Sequence, residues 1–169
     1  MAKAESEKPL PDLDQFAAMG RLCLSTNLRR TERLVTRHYD AYLAAAGVTA
    51  VQFPILANIA AAREPTFRTL AGVLELDRST LSRNLALLDE RGLVKVGPSA
   101  GRKAGRLSLT RKGRVTLGLA YTCWLEAHEA LAALLSNNAV AEGLQFLKLL
   151  RHGARHTGDG APPQNQSPE

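Results

Sequence analysis

Between Pro65 and Thr110 the hydrophobic pattern switches repeatedly from helical to extended spacing, and that order of switches limits the possible folds more than any other feature of the chain. Pro65 and Thr66 open a short helical segment with Leu70, Ala71 and Leu74 on one face. After a break at Glu75–Leu76, Asp77 can cap a second segment, 77–91, on which Leu81, Leu85 and Leu88 share a face. Gly92 stands where a left-handed residue ends a helix. Leu93-Val94-Lys95-Val96 then reads as a short strand. The loop 97–105 carries three glycines and a proline, and Arg106-Leu107-Ser108-Leu109 alternates as a returning strand. Two short helices about three residues apart make a helix-turn-helix, and strand, basic loop and strand make a β-hairpin wing.

Helical patterns flank this unit on both sides. Asp12 with Gln15 forms a capping box, after which Leu24, Leu28, Thr31, Val35, His38, Tyr42 and Ala46 draw one stripe ending at Gly47. The spacing predicts a single helix over 12–46, far longer than the usual span of about three turns. A helix of that length with one seam buries it against a partner chain or a second long helix. Thr49 with Gln52 repeats the capping box, and a helix over about 50–63 follows, with Val48 and Phe53 placed as a hydrophobic staple. Pro54 lies deep enough to distort its first turn. Thr110 caps a further helix to about Leu135, Ser136-Asn137-Asn138 breaks it, and a last amphipathic helix with Val140, Leu144, Leu147 and Leu150 runs to Gly153.

Charge is concentrated in the same unit. The chain has 22 Lys and Arg against 16 Asp and Glu, a net +6, yet residues 66–114 alone hold eleven basic and four acidic side chains. The remainder is close to neutral. A local excess of this kind is the electrostatic footprint of phosphate neutralisation, although a solvated basic surface would have the same composition. Ser79, Ser82, Arg83 and Ala86 lie opposite the leucines of 77–91. Short side chains allow close approach in a major groove, and an Arg can grip guanine O6 and N7 with both arms. Arg83 is therefore the candidate for direct base readout; pairing with Glu90 or a phosphate is the plainer alternative. Arg102, Lys103 and Arg106 on the hairpin suit a narrow minor groove, and Arg111, Lys112 and Arg114 are expected beside phosphates.

Several stretches, taken in order, resemble the MarR family of bacterial transcription regulators over about residues 20–150. They are Gly47-Val48-Thr49 with Gln52-Phe53, Thr69-Leu70-Ala71, Asp77-Arg78-Ser79-Thr80-Leu81-Ser82-Arg83, Leu88-Asp89-Glu90-Arg91-Gly92-Leu93-Val94, and Leu107-Ser108-Leu109-Thr110 with Gly113-Arg114. The resemblance implies a mainly α fold with a small β-hairpin wing: a winged helix-turn-helix with long N- and C-terminal dimerisation helices. It implies a homodimer whose two lobes bind double-stranded DNA at a pseudo-palindromic operator, most often as a repressor of nearby genes, released when a small-molecule effector or oxidant alters lobe spacing. By that resemblance Thr80, Ser82 and Arg83 would contribute from the recognition helix and Arg102 from the wing; Arg78, Ser79, Lys103 and Arg106, beside them in the sequence, complete the expected DNA-binding set. One departure is Gly101, where the family has an acidic residue before the wing Arg. The alternative function is an architectural or protein-interaction module without specific readout.

The remaining chemistry is sparse. Cys23 and Cys123 have no CxxC spacing, so neither a disulfide framework nor a metal site is expected. Cys23 is a redox candidate because some relatives sense peroxide near the start of the first helix; a packed, inert thiol is the competing reading. His38 and Tyr42, one turn apart, and Phe53 are candidates for an effector pocket, while a seam against the partner explains the first two equally simply. No paired carboxylates, phosphate loop or nucleophile motif appears, so no enzyme, cofactor or metal is expected. With no signal-like N-terminus and no spanning segment, the chain reads as cytoplasmic. The expected layout is a tail over 1–11 and another over 154–169, both disordered, around one domain, 12–153. In that domain 12–46 and 115–153 are dimerisation helices and 47–114 is the DNA-binding lobe.

Overall fold

Asp12 starts the first helix through the expected capping box: the Gln15 amide donates to Asp12 Oδ1 at 2.7 Å, and the Asp12 amide donates to Gln15 Oε1 at 3.0 Å. The computed structural model describes residue 10 and residues 12–62, 64–98, 105–136 and 138–158. Its elements, in order, are α1 (Leu13–Leu22), α2 (Leu24–Leu43), a 3-10 turn (Ala44–Ala46), α3 (Gln52–Ala61), α4 (Phe67–Leu74), α5 (Arg78–Glu90), β1 (Val94–Val96), β2 (Leu107–Leu109), α6 (Arg111–Ala132) and α7 (Ala139–Gly158). This is the mainly helical architecture with a hairpin that the sequence predicts. The chain divides into two units, one ending at Cys123 and one beginning at Trp124.

The single helix expected over 12–46 is broken. Cys23 adopts φ −68° and ψ 109°, ending α1 and starting α2. Asn27 accounts for the break locally: its side-chain amide donates to the carbonyls of Arg21 and Cys23, both at 3.0 Å. The side chain thereby satisfies the Arg21 carbonyl, which a continuous helix would have paired along the backbone, while the Cys23 carbonyl also keeps its bond from the Asn27 amide at 3.1 Å. At the far end the stop is as expected, with Gly47 left-handed at φ 69°. The α2–α3 junction is closed by Asp40, whose Oδ1 accepts from the Ala50 amide at 2.7 Å. Thr49 and Gln52 cap α3 mutually. Pro54 follows directly on the first helical bond, from the Phe53 amide to the Thr49 carbonyl at 2.9 Å, and supplies no amide for the next one.

The core of the first unit is aliphatic. Leu43, Ile55, Leu56, Leu70, Leu81, Leu88, Leu93 and Leu107 are all at most 1% exposed. Burying each such side chain contributes about 1.5–3 kcal/mol. These residues come from the end of α2, from α3, α4 and α5, and from the hairpin, so they hold the helix-turn-helix to the wing. β1 and β2 pair antiparallel, with Val94 opposite Leu109 and Val96 opposite Leu107. The hairpin base is tied to the α3–α4 connection by a bridge between Thr66 and Arg106, and by the Leu107 amide on the Pro65 carbonyl at 2.9 Å.

Thr110 locks the start of α6. Its hydroxyl donates to the Gly92 carbonyl at 2.7 Å and accepts from the Gly113 amide at 2.9 Å. Gly113 sits so close to the Leu93 carbonyl that a Cβ there would overlap it. Only glycine lets α6 leave the hairpin along this path.

In the second unit, Trp124 and His128 stack at 5.4 Å one turn apart, and Ala127 is fully buried. α7 continues to Gly158, so residues 154–158 of the expected tail are helical. Gly153 lies inside the helix: one interior glycine costs about 1 kcal/mol, and Arg155 and His156 in the last turn favour the negative helix end. Residues 1–9 and 159–169, most of the two expected tails, lie outside the described residues. α1 buries none of its side chains: Leu13, Phe16, Met19 and Leu22 are all exposed. On α7, Leu144, Phe146 and Leu149 are exposed as well.

Candidate nucleic-acid interface

Asp77 organises the start of α5. Its Oδ1 accepts from the Thr80 amide at 2.8 Å and from the Ser79 hydroxyl at 2.6 Å. The hydroxyls of Ser79 and Thr80, then their amides, hold the Asp77 carboxyl well below the usual carboxylate range. Ionised Asp77 also complements the positive end of the helix. Leu81, Leu85 and Leu88 then anchor α5 in the core, and the same rotation leaves Ser79, Ser82, Arg83 and Ala86 exposed on the outer face. The exposed face is thus set by three buried leucines and one cap.

The candidate residues on this face are placed differently from one another. Arg83 folds back along α5, its Nε donating to the Ser79 carbonyl at 3.3 Å, which sets the guanidinium beside Ser79. Arg78 lies over the Phe67 ring of α4, 6.0 Å from the centroid, in a cation–π contact. Thr80 is half-buried at the capped first turn. Between α4, α5 and the hairpin lies a groove of about 290 Å³ whose walls include Phe67, Ser82, Leu85, Ala86, Val96 and Leu107.

On the wing, Arg102 and Lys103 lie outside the described residues. Arg106 is exposed, and its Nη1 donates to the Glu64 carbonyl at 3.0 Å, so part of its guanidinium holds the hairpin base. Two of the basic residues expected beside phosphates also engage backbone: Lys112 Nζ donates to the Arg91 carbonyl at 2.8 Å, and Arg114 Nη1 to the Leu109 carbonyl at 3.0 Å. The sequence could not show the Arg106–Glu64 and Lys112–Arg91 bonds, because each joins residues far apart in the chain that the fold brings together. Glu64 and Glu75 adopt left-handed φ of 68° and 52° on either side of α4.

The effector and redox candidates lie elsewhere. His38 packs against Tyr42 at 5.2 Å and edge-on to Tyr39 at 5.6 Å. Tyr39, absent from the sequence expectations, has its hydroxyl pKa raised by burial. Phe53 is half-buried at the first turn of α3. A shallow cavity of about 350 Å³ on α2 is lined by Glu32, Arg33, Thr36 and Arg37 rather than by the aromatic residues. Cys23 is half-buried at the α1–α2 break, whereas Cys123 is buried. The Cys23 sulfur makes no full capping bond, yet the nearby Thr26 hydroxyl, then the Thr26 amide, lower its pKa against the opposing effect of burial. The helix break, invisible in the apolar stripe, gives this thiol its helix-start environment. No described helix is long and apolar enough to cross a membrane.

Comparison with known proteins gives the architecture a family. Residues 46–104 match the model of the MarR family. The transcriptional regulator MosR of M. tuberculosis is 30% identical, the match covering 79% of this chain and 98% of that one, with a TM-score of 0.69. MosR in complex with DNA matches at a TM-score of 0.67. A mutant MarR from E. coli complexed with operator DNA is 27% identical over 83% of this chain and 99% of its own, at a TM-score of 0.66. The repressor CouR bound to p-coumaroyl-CoA, 23% identical over 84% of this chain and 98% of its own, shares the fold at 0.71. No curated protein matches the chain. With identity at this level across nearly all of MosR, and a capped helix-turn-helix joined to a hairpin, the chain belongs to the MarR family of winged-helix transcriptional regulators.

Proposed function

We propose that the chain is a homodimeric repressor that binds a pseudo-palindromic operator near its own gene in the cytoplasm and is released by a small-molecule effector. The observation that carries this reading is the outer face of α5. Ser79, Ser82 and Arg83 are exposed there while Leu81, Leu85 and Leu88 are buried, inside the stretch that holds the whole positive excess of the chain. MosR and MarR, which share this fold at 27–30% identity, have been solved with DNA. Arg83 reads a guanine from the major groove, Arg102 and Lys103 reach the minor groove, and Arg78 and Thr80 support the helix start.

The dimer is supported by the terminal helices. α1 buries nothing, and α7 leaves Leu144, Phe146 and Leu149 in water. Apolar faces of that kind on two helices are costly for a monomer and are the material of a subunit interface. The effector acts by binding one lobe spacing better than another, since only differential affinity shifts such a balance. The His38–Tyr42 pair on α2 is the proposed effector contact.

The test is an anisotropy titration of the full chain against duplexes from the regions flanking its own gene, with unrelated duplexes as competitors. Tight binding to one pseudo-palindrome, weakening steeply with salt, supports the proposal. Arg83→Ala should cost about 1–3 kcal/mol and relax preference at one position per half-site. Equal affinity for all duplexes would instead indicate an architectural protein.

A further inference from the structure

Ser79 and Asp77 together give the exposed face of α5 a polarity that the residue types alone do not. Resting on the proposed DNA-binding function, we propose that Ser79 is a hydrogen-bond acceptor for the exocyclic amino group of adenine or cytosine in the major groove, and not a phosphate ligand. A serine hydroxyl has one proton and two lone pairs. In this structure the proton is held by Asp77 Oδ1 at 2.6 Å, which leaves only lone pairs to face outward. A free serine can meet any base edge or a phosphate; this one cannot donate without breaking a short, charge-assisted bond.

The major groove distinguishes these cases. Adenine N6 and cytosine N4 carry donors, whereas guanine O6 and N7 and thymine O4 only accept. Phosphate oxygens also only accept, and a phosphate at the start of α5 would face the Asp77 carboxylate, which stays ionised because the hydroxyls and amides of Ser79 and Thr80 stabilise its charge. Asp77 therefore occupies the position where a helix start would otherwise attract an anion.

Arg83 completes the arrangement. Its Nε bond to the Ser79 main-chain carbonyl holds a donor-only guanidinium within one helical turn of the residue that carries the acceptor-only hydroxyl. Such a pair matches adjacent base edges of opposite polarity, guanine for Arg83 and an amino-bearing base for Ser79. The operator should thus show one position per half-site at which adenine and cytosine are accepted and guanine and thymine rejected.

The experiment selects bound duplexes from a randomised double-stranded pool with the full chain and, in parallel, with Ser79→Ala and Asp77→Ser. Ser79→Ala keeps the Asp77 cap on the Thr80 amide, and serine is itself a good cap; circular dichroism checks that both variants keep their helices. The wild type should enrich adenine or cytosine at one position per half-site, where Ser79→Ala loses the preference and Asp77→Ser broadens it. Replacing that base by an analogue lacking only the amino group should weaken the wild type about 3- to 10-fold and leave Ser79→Ala unchanged. Enrichment of guanine or thymine there, no difference between wild type and Ser79→Ala, or equal weakening of all duplexes by Ser79→Ala would overturn this inference alone. If no sequence is enriched at all, the specific DNA-reading function fails with it.

Discussion

Arg106 Nη1 donates to the carbonyl of Glu64 at 3.0 Å, joining the residue just before β2 to the connection between α3 and α4. The same junction carries the Thr66–Arg106 bridge and the Leu107 amide on the Pro65 carbonyl. Arg106 therefore positions the hairpin as well as adding charge to it. Arg106→Ala should lower stability by about 1 kcal/mol, the net value of an ordinary hydrogen bond at an exposed site. Urea unfolding measures the loss, and amide exchange at Leu107 should accelerate. An unchanged midpoint and unchanged exchange would show that the wing base does not depend on this side chain.

Gly113 is required by packing against backbone, since the Leu93 carbonyl occupies the place of its Cβ. Neither partner is a flexible side-chain tip that could swing away. Gly113→Ala should cost about 1–3 kcal/mol, the range for overpacking, even though alanine is the better helix former. Gly118→Ala, in the same helix with open space around its Cβ, is the control. It should gain up to about 1 kcal/mol by helix propensity. Thermal melts of the two variants should therefore shift in opposite directions.

The Asp77 cap makes a prediction about acid. Its pKa in the folded chain lies below the ordinary value of 3.8, so the ionised form is favoured by folding. The stabilisation is complete above that ordinary value and is lost as pH falls through the lower folded value. Asp77→Asn keeps a capping oxygen but cannot titrate. The stability advantage of the wild type over Asp77→Asn should be constant near neutral pH and shrink below about pH 4. An advantage that grew with acid would reverse the assigned sign.

Cys23 and Cys123 should react differently with a thiol reagent. Cys23 is half-buried, with its pKa lowered first by the Thr26 hydroxyl, whereas Cys123 is only 7% exposed. The thiolate is the reactive form, so Cys23 should be alkylated first near neutral pH. Thr26→Val should move its rate profile to higher pH. Equal rates for the two cysteines would remove the basis for Cys23 as a redox candidate.

What the sequence showed depended on how local each interaction is. The Asp12–Gln15 box, the Asp77 cap, the left-handed Gly47 and Gly92, and the leucine face of α5 involve residues within a turn or two, and spacing alone reveals them. The break at Cys23 escaped because the Asn27 side chain takes the Arg21 carbonyl, a competition that an apolar stripe does not register. The Asp40–Ala50 and Lys112–Arg91 bonds and the double duty of Arg106 depend on distances the folded chain creates. The extension of α7 past Gly153 shows the opposite error, a glycine read as a stop where its neighbours favour helix.

The most direct test of the whole account is the mass of the complex formed by the full chain with its selected duplex, measured by sedimentation at low and physiological salt. Two chains on one duplex, formed from a protein already dimeric in the absence of DNA, is the predicted result. A single chain per duplex, or a protein that stays monomeric with the apolar faces of α1 and α7 in water, would contradict it.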